Sequence, residues 1–182
     1  MNYNPTIEIK SFKPALTLSE ETLAFTGRLY IDGKPAAHLS NRGHGDSVSY
    51  HHYKNDDGAL LGVLIDNLAK APTAKSEFFD DGLQPDLDWF LQELAGETAN
   101  RQKSKRDVAS KSWVRFADHK YGEDDWHVFR FKWTPENRAR LEERHGPVVE
   151  SRNERVAATG PLKFRQMLAK MGVELEDLAK VS

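Results

Sequence analysis

The sequence predicts an α+β fold: an antiparallel sheet, made of an N-terminal hairpin with added strands and a second aromatic hairpin, packed by three to four helices. Three observations carry that reading. Leu23, Phe25, Gly27, Leu29 and Ile31 alternate with Thr22, Ala24, Thr26, Arg28 and Tyr30, the period-2 pattern of a strand with one buried face. Asp32-Gly33 follows as a hairpin turn. Leu60, Leu61, Leu64, Ile65 and Leu68 then recur at helical spacing, which gathers apolar side chains on one stripe.

Taken in order, Ile7, Ile9 and Ser11 alternate with Glu8, Lys10 and Phe12, giving a first strand over 6–13 that Pro14 ends. The hairpin register depends on its loop. A two-residue loop sets Phe25 opposite Ser40, whereas a three-residue loop of Ile31, Asp32 and Gly33 pairs Phe25 with Leu39 and Gly27 with Ala37. The second is preferred because it sets apolar against apolar, and it sends His38 to the outer face near Thr26. Asn41 to Asp46 form a loop expected to expose backbone amides, and Ser47 to Tyr53 resume strand alternation. Asp56 or Asp57 caps the leucine-rich helix, which Pro72 bounds. Pro85 opens a second amphipathic helix over 85–95 through Leu87, Phe90, Leu91 and Leu94.

Past Gly96 the chain turns polar and basic. Residues 97–111 read either as the solvated continuation of that helix or as a flexible connector, and partial disorder is the preferred reading. Trp113 to Phe116 and Trp126 to Trp133 alternate as the strands of the aromatic hairpin. Thr134-Pro135-Glu136 is a helix start and Gly146 its stop, and a charged stretch, ESRNERVA, follows. Gly160-Pro161 opens the last long helix through Leu162, Phe164, Met167, Leu168 and Met171, with Gly172 as its stop. Leu175, Leu178 and Val181 suggest one more short turn. The whole of 1–182 is expected to form a single domain.

Composition narrows the function classes. A formal charge of −2 argues against binding nucleic acid by bulk electrostatics, though a local patch can still do so. The absence of cysteine removes disulfides, zinc-thiolate sites and thiol catalysis, and fits a reducing compartment. No apolar run approaches the ~20 residues that span a bilayer, and the N-terminus lacks a signal-peptide pattern, so a cytoplasmic protein without membrane association is expected.

Several constellations are candidates for chemistry. His38, His44 and His51 with Asp46 supply the nitrogen and oxygen donors a divalent metal takes, although their spacing matches no metal motif and the plainer reading is polar decoration of a sheet edge. Asn41-Arg42-Gly43-His44-Gly45 resembles an anion-binding nest, although the plainer reading is a tight connection that needs glycine for its backbone angles. Arg101, Lys103, Lys105, Arg106 and Lys111 form a basic run able to contact phosphates, with no aromatic interleaved to stack on bases. Acidic clusters at Asp80-Asp81 and Glu123-Asp124-Asp125, flanked by Phe78, Phe79 and Trp126, can be solvated or can meet a protein. No nucleophile elbow or paired-carboxylate signature is present, so no catalytic residue is assigned and a non-enzyme is expected.

The words Ser19-Glu20-Glu21-Thr22, Phe25, Leu29-Tyr30, Gly33-Lys34, Asn41, Gly43, Gly45 and Tyr50-His51 resemble a group of small uncharacterised accessory proteins of bacteriophages, prophages and plasmids. The aromatic strand Trp113 to Phe116, the turn Tyr121-Gly122 before Trp126, and the Thr-Pro-Glu helix ending at His145-Gly146 are also similar to theirs. The resemblance implies a mobile-element accessory protein in a bacterial host. Such a protein would bind and inhibit a host protein complex, as anti-CRISPR or anti-restriction proteins do, through a surface of Arg28, Tyr30, Arg42, Gly43, His44, Gly45, Asp46 and Trp126. The alternatives are a nucleic-acid- or nucleotide-binding protein using 101–111, and a metal-dependent hydrolase using His38 to His52.

Overall fold

The computed structural model describes residues 3–53, 58–76, 81–122, 125–174 and 176. The fold is α+β with two antiparallel sheets and several helices, as the sequence led us to expect. The chain gathers into two compact units, 1–99 with 161–182 and 100–160. The proposed caps Asp56 and Asp57, the cluster members Phe78, Phe79, Asp80, Glu123 and Asp124, and the C-terminal Leu175, Leu178 and Val181 lie outside the described residues.

Unit 1 holds a five-stranded sheet in the order β4-β3-β2-β1-β8, with β1 at Thr6–Pro14, β2 at Phe25–Ile31, β3 at Lys34–Asn41, β4 at Ser49–His52 and β8 at Leu162–Lys163. Its buried face meets α1 (Ala59–Ala69), the first turns of α2 (Leu87–Ala109) and α5 (Phe164–Lys170). Ile7, Leu29, Leu64, Phe90, Phe164 and Leu168 are wholly buried there. At roughly 1.5–3 kcal/mol for each large apolar side chain removed from water, this cluster is the main source of the unit's stability. In α1, Leu61, Leu64 and Leu68 are buried as the spacing requires, while Ile65 sits 39% exposed on the helix flank.

The hairpin departs from the expected register. Asp32 and Gly33 both have positive φ, 47° and 76°, the signature of a two-residue type I′ turn, and Ile31 pairs directly with Lys34. The extra residue enters β3 instead, as a bulge between the Tyr30–Pro35 and Leu29–Ala37 pairs. Phe25 therefore faces Asn41 and Gly27 faces Leu39. The bulge restores the phase that the short loop would have lost, so Phe25, Leu29, Ala37 and Leu39 still share the buried face. Pro35 has no amide hydrogen to contribute to a ladder, which suits it to this irregular position. Asp32 is fixed by two bonds to Thr6: its Oδ1 accepts from the Thr6 amide at 2.7 Å, and its own amide donates to the Thr6 carbonyl at 2.8 Å.

Unit 2 contains a three-stranded sheet, β6-β5-β7, of β5 (Ser112–Phe116), β6 (His127–Phe129) and β7 (Val148–Ser151), with α3 (Pro135–His145), α4 (Arg152–Ala158) and the last turns of α2. Helix α3 follows its sequence signals closely: the Thr134 hydroxyl accepts from the Asn137 amide at 3.2 Å, Pro135 fills the first position, and Gly146 ends the helix at φ 87°. The Glu136 carboxyl in this first turn is held below the usual carboxylate range, chiefly by hydrogen bonding to its own backbone and then to Thr134. Strand β6 is shorter than the expected 126–133, because the chain bends at Arg130 and Phe131.

The expected connector at 97–111 is instead helical through Ala109. After Gly96 the segment contains no further Gly or Pro and carries three Lys and two Arg, good helix formers. Its end is tied down by Asn153, whose Nδ2 donates to the carbonyls of Val108 at 3.1 Å and Lys111 at 2.7 Å.

Candidate functional site

Unit 2 presents a groove of about 690 Å³ whose wall is built from Trp113, Arg115, Trp126, Arg152, Arg155 and Ser104. Strand periodicity explains two of these: Val114 and Phe116 turn into the core, so Trp113 and Arg115 turn to the other side. Arg152 and Arg155 come from successive turns of α4, at a spacing that puts both on one face. Ser104 comes from α2.

Each indole lies beside a guanidinium. Arg152 Cζ is 4.7 Å from the centre of the Trp113 ring and Arg115 Cζ is 4.5 Å from that of Trp126. Such contacts are worth about 0.5–2 kcal/mol. The Trp113 indole N–H donates to the Asp107 carbonyl at 3.3 Å, which fixes its tilt. Arg115 is a fixed wall element: its Nε donates to the Asp125 carbonyl at 3.0 Å, and its two terminal nitrogens donate to Gly122 and to Glu150, both at 3.0 Å. Glu150 also accepts from Arg155 at 2.7 Å, and Asp107 lies 3.7 Å from Arg152. Among the described residues, three guanidiniums thus stand with the carboxylates of Glu150 and Asp107. The surrounding sequence is net positive, since residues 100–160 carry 14 Lys and Arg against 10 Asp and Glu, while the rest of the chain carries 12 against 18.

The basic run lies on the last turns of α2 and the link beyond it. Lys103, Lys105, Arg106 and Lys111 are exposed, whereas Arg101 donates to the Gly160 carbonyl at 2.7 Å. Of the groove residues, only Trp126 was singled out as a surface residue from the sequence. The alternation of Trp113 with Val114 and the Arg152, Arg155 spacing were the available signals for the others.

The loop 41–46 forms the tight connection rather than an anion-binding nest. The Gly43 amide donates to Asn41 Oδ1 at 2.7 Å and the Gly45 amide reaches Thr22 Oγ1 at 3.4 Å, so both glycine amides are engaged by side chains of the protein itself. The Gly43 carbonyl accepts from the amides of Glu20, Glu21 and Thr22. Glu21 lies against Gly45 and His44 bonds Glu20 at 2.9 Å, so carboxylates stand where an anion would sit. Gly43 is buried, and Arg42, His44, Gly45 and Asp46 are exposed around it.

The proposed metal set is not assembled either. His38 and His51 are cross-strand partners on the exposed face, His44 is held by Glu20, and Asp46 accepts through its backbone carbonyl from Asn41. Among the described residues no three His, Asp or Glu side chains converge as metal ligands. The histidines that do gather are ones the spacing did not link: His119, His127 and His145 surround Phe116 at ring separations of 6.1, 5.5 and 5.3 Å. Among the described residues no helix is long and apolar enough to cross a membrane.

Compared with protein-family models, with curated proteins and with solved structures, the chain matches none.

Proposed function

We propose that this is a non-enzymatic binding protein for single-stranded nucleic acid, acting in the cytoplasm of a bacterial host, with the groove of unit 2 as its contact surface. The observation that carries the reading is one groove in which Trp113 and Trp126 each lie against a guanidinium, of Arg152 and Arg115, with Arg155 beside them. Every base offers a π-face, so indoles and guanidiniums bind strands with little regard to sequence, while the cationic wall follows the phosphates. Lys103, Lys105 and Arg106 extend the positive charge along the helix that contributes Ser104.

The test is fluorescence anisotropy with a labelled oligothymidylate and the matching duplex across a salt series. For three to four phosphate contacts the expected slope of log affinity against log salt is roughly −2 to −3 on a single strand. The double variant Arg152→Gln, Arg155→Gln should lower both affinity and slope. Equal affinity of wild type and variant at every salt concentration would remove the groove from the function.

A second reading follows from the mobile-element resemblance together with edge strand β4, all four of whose residues are exposed. An open edge can accept a strand from another protein, so the chain would dock on a host protein complex and block it, in the manner of an anti-defence protein. Affinity purification from the host separates the two: a stoichiometric protein complex insensitive to nuclease favours docking, whereas nuclease-sensitive recovery favours the strand-binding reading.

A further inference from the structure

The sheet of unit 1 has one face in the core, and its register decides what the other face presents. Lys10 pairs with Arg28, Arg28 with His38, and His38 with His51, so one row across β1, β2, β3 and β4 consists entirely of basic side chains. The adjacent row is Lys13, Thr26, Ser40 and Ser49. Directly opposed side chains in a sheet are close neighbours, and like charges there are destabilising, so a face shaped for stability alone would alternate signs. Lys10 is answered by Glu8 at 3.6 Å and lies over the Tyr30 ring. Among the described residues, the side chains of Lys13, Arg28 and His51 have neither a carboxylate partner nor a hydrogen bond, and His38 has only a ring contact with Tyr53.

A second irregularity converges on the same place. Strand β1 carries a bulge between Lys10 and Lys13, and Ser11 within it adopts a left-handed φ of 51°, uncommon for a residue other than glycine. The bulge puts both Lys10 and Ser11 on the open side, buries Phe12, and sets Lys13 opposite Thr26. Backbone strain of this kind tends to persist where it positions a side chain for a task. Between the two rows lies a hollow of about 340 Å³, lined by Lys13, Arg28, His38 and His51 with the hydroxyls of Thr26 and Ser40. The lining contains no carboxylate.

We propose that this hollow is a phosphate-binding subsite. Arg28 offers a planar fork of donors matched to two phosphoryl oxygens, Lys13 adds a point charge, and the hydroxyls and imidazole N–H groups direct the remaining oxygens. The phosphoryl group can come from a free nucleotide or from the backbone of a strand, and the chemistry of the hollow is the same for both. The site stands independently of the unit 2 groove.

The test uses the full chain in isothermal titration calorimetry with inorganic phosphate, a nucleoside 5′-monophosphate and a short single-stranded oligonucleotide. The oligonucleotide arm is run in the Arg152→Gln, Arg155→Gln background, so that loss of the groove cannot be mistaken for loss of this subsite. At least one of the three should bind saturably and weaken roughly tenfold or more in Arg28→Gln, as expected for loss of a charge-assisted, bidentate contact. Lys34→Gln, which removes an exposed charge of β3 outside the hollow, should bind like the wild type. Arg28→Gln should also melt at or above the wild-type temperature, because it relieves crowding of like charges, whereas a merely structural arginine would lower it. Binding by phosphate and the monophosphate assigns the monoester; binding by the oligonucleotide alone assigns the backbone. Absence of saturable binding by all three, binding that Arg28→Gln leaves unchanged, or binding of a phosphoserine peptide where all three fail would overturn the proposal.

Discussion

Replacing Asn153 by alanine removes three hydrogen bonds from one corner of unit 2. The side chain is 7% exposed; its Oδ1 accepts from the Trp113 amide at 2.8 Å, and its Nδ2 donates to the carbonyls of Val108 and Lys111. Those three backbone groups span the end of α2, the link and the start of β5, so a single amide closes the helix-to-strand turn. At a net value of about 0.5–1.5 kcal/mol for each of three part-buried bonds, the loss should be about 2–4 kcal/mol. For a unit of this size each kilocalorie per mole moves the melting temperature by roughly 4–8 °C, so a fall of about 10 °C or more is expected. Urea unfolding followed by tryptophan emission suits the measurement, because Trp113, Trp126 and Trp133 all belong to unit 2 and only Trp89 to unit 1. Asn153→Asp provides a chemical check. It keeps an acceptor for Trp113 but faces two carbonyls with a carboxylate, so its stability should rise as pH falls through the elevated folded-state pKa of the new carboxyl. A loss below about 0.5 kcal/mol in Asn153→Ala would refute the claim that this amide holds the corner.

Three further outcomes follow from the same geometry. Gly43→Ala should destabilise unit 1 by about 1–3 kcal/mol in a urea melt, because φ is 89°, the added methyl collides with the Leu18 carbonyl, and it comes within 2.9 Å of the Ala24 side chain. Tyr3→Phe should be neutral or stabilising by up to ~1 kcal/mol, since the Tyr3 hydroxyl is buried without a hydrogen-bond partner among the described residues. Burial, with a smaller contribution from the charge of Asp32, pushes the Tyr3 pKa from 10.0 up to about 12. The folded state therefore holds this proton more tightly than the unfolded chain, and wild-type stability should fall between about pH 10 and 12 relative to Tyr3→Phe; parallel curves would contradict the assignment. Charge reversal of Lys103, Lys105 and Arg106 to glutamate should abolish a salt-sensitive gel shift on single-stranded DNA, while leaving the far-ultraviolet spectrum unchanged because all three are exposed on α2.

What could be read from the sequence divides by whether the signal is local. The cap at Thr134, the proline at the first helical position and the stop at Gly146 each act within four residues, and all three stand where they were expected. The buried stripe of α1 is equally local. Strand β7 and helix α4 went unread because ESRNERVA is charged; the strand is held by pairing with β5, some 35 residues away, and only the Ser151 cap on the Glu154 amide could have marked the helix. The basic run looked disordered for a similar reason, since the contacts that end α2 come from Asn153, more than 40 residues further on. The row of basic side chains is the sharpest case. Under a three-residue loop Arg28 would stand opposite Ala36 and His38 opposite Thr26, and the basic side chains would be scattered over the sheet. With the two-residue turn and the bulge at Pro35, Arg28 meets His38 and the row closes. Both arrangements turn Phe25, Leu29, Ala37 and Leu39 to the buried face, so the main hydrophobic pattern cannot choose between them. Turn geometry and a proline without an amide hydrogen can, which makes Pro35 the residue that decides what the open face of the sheet displays.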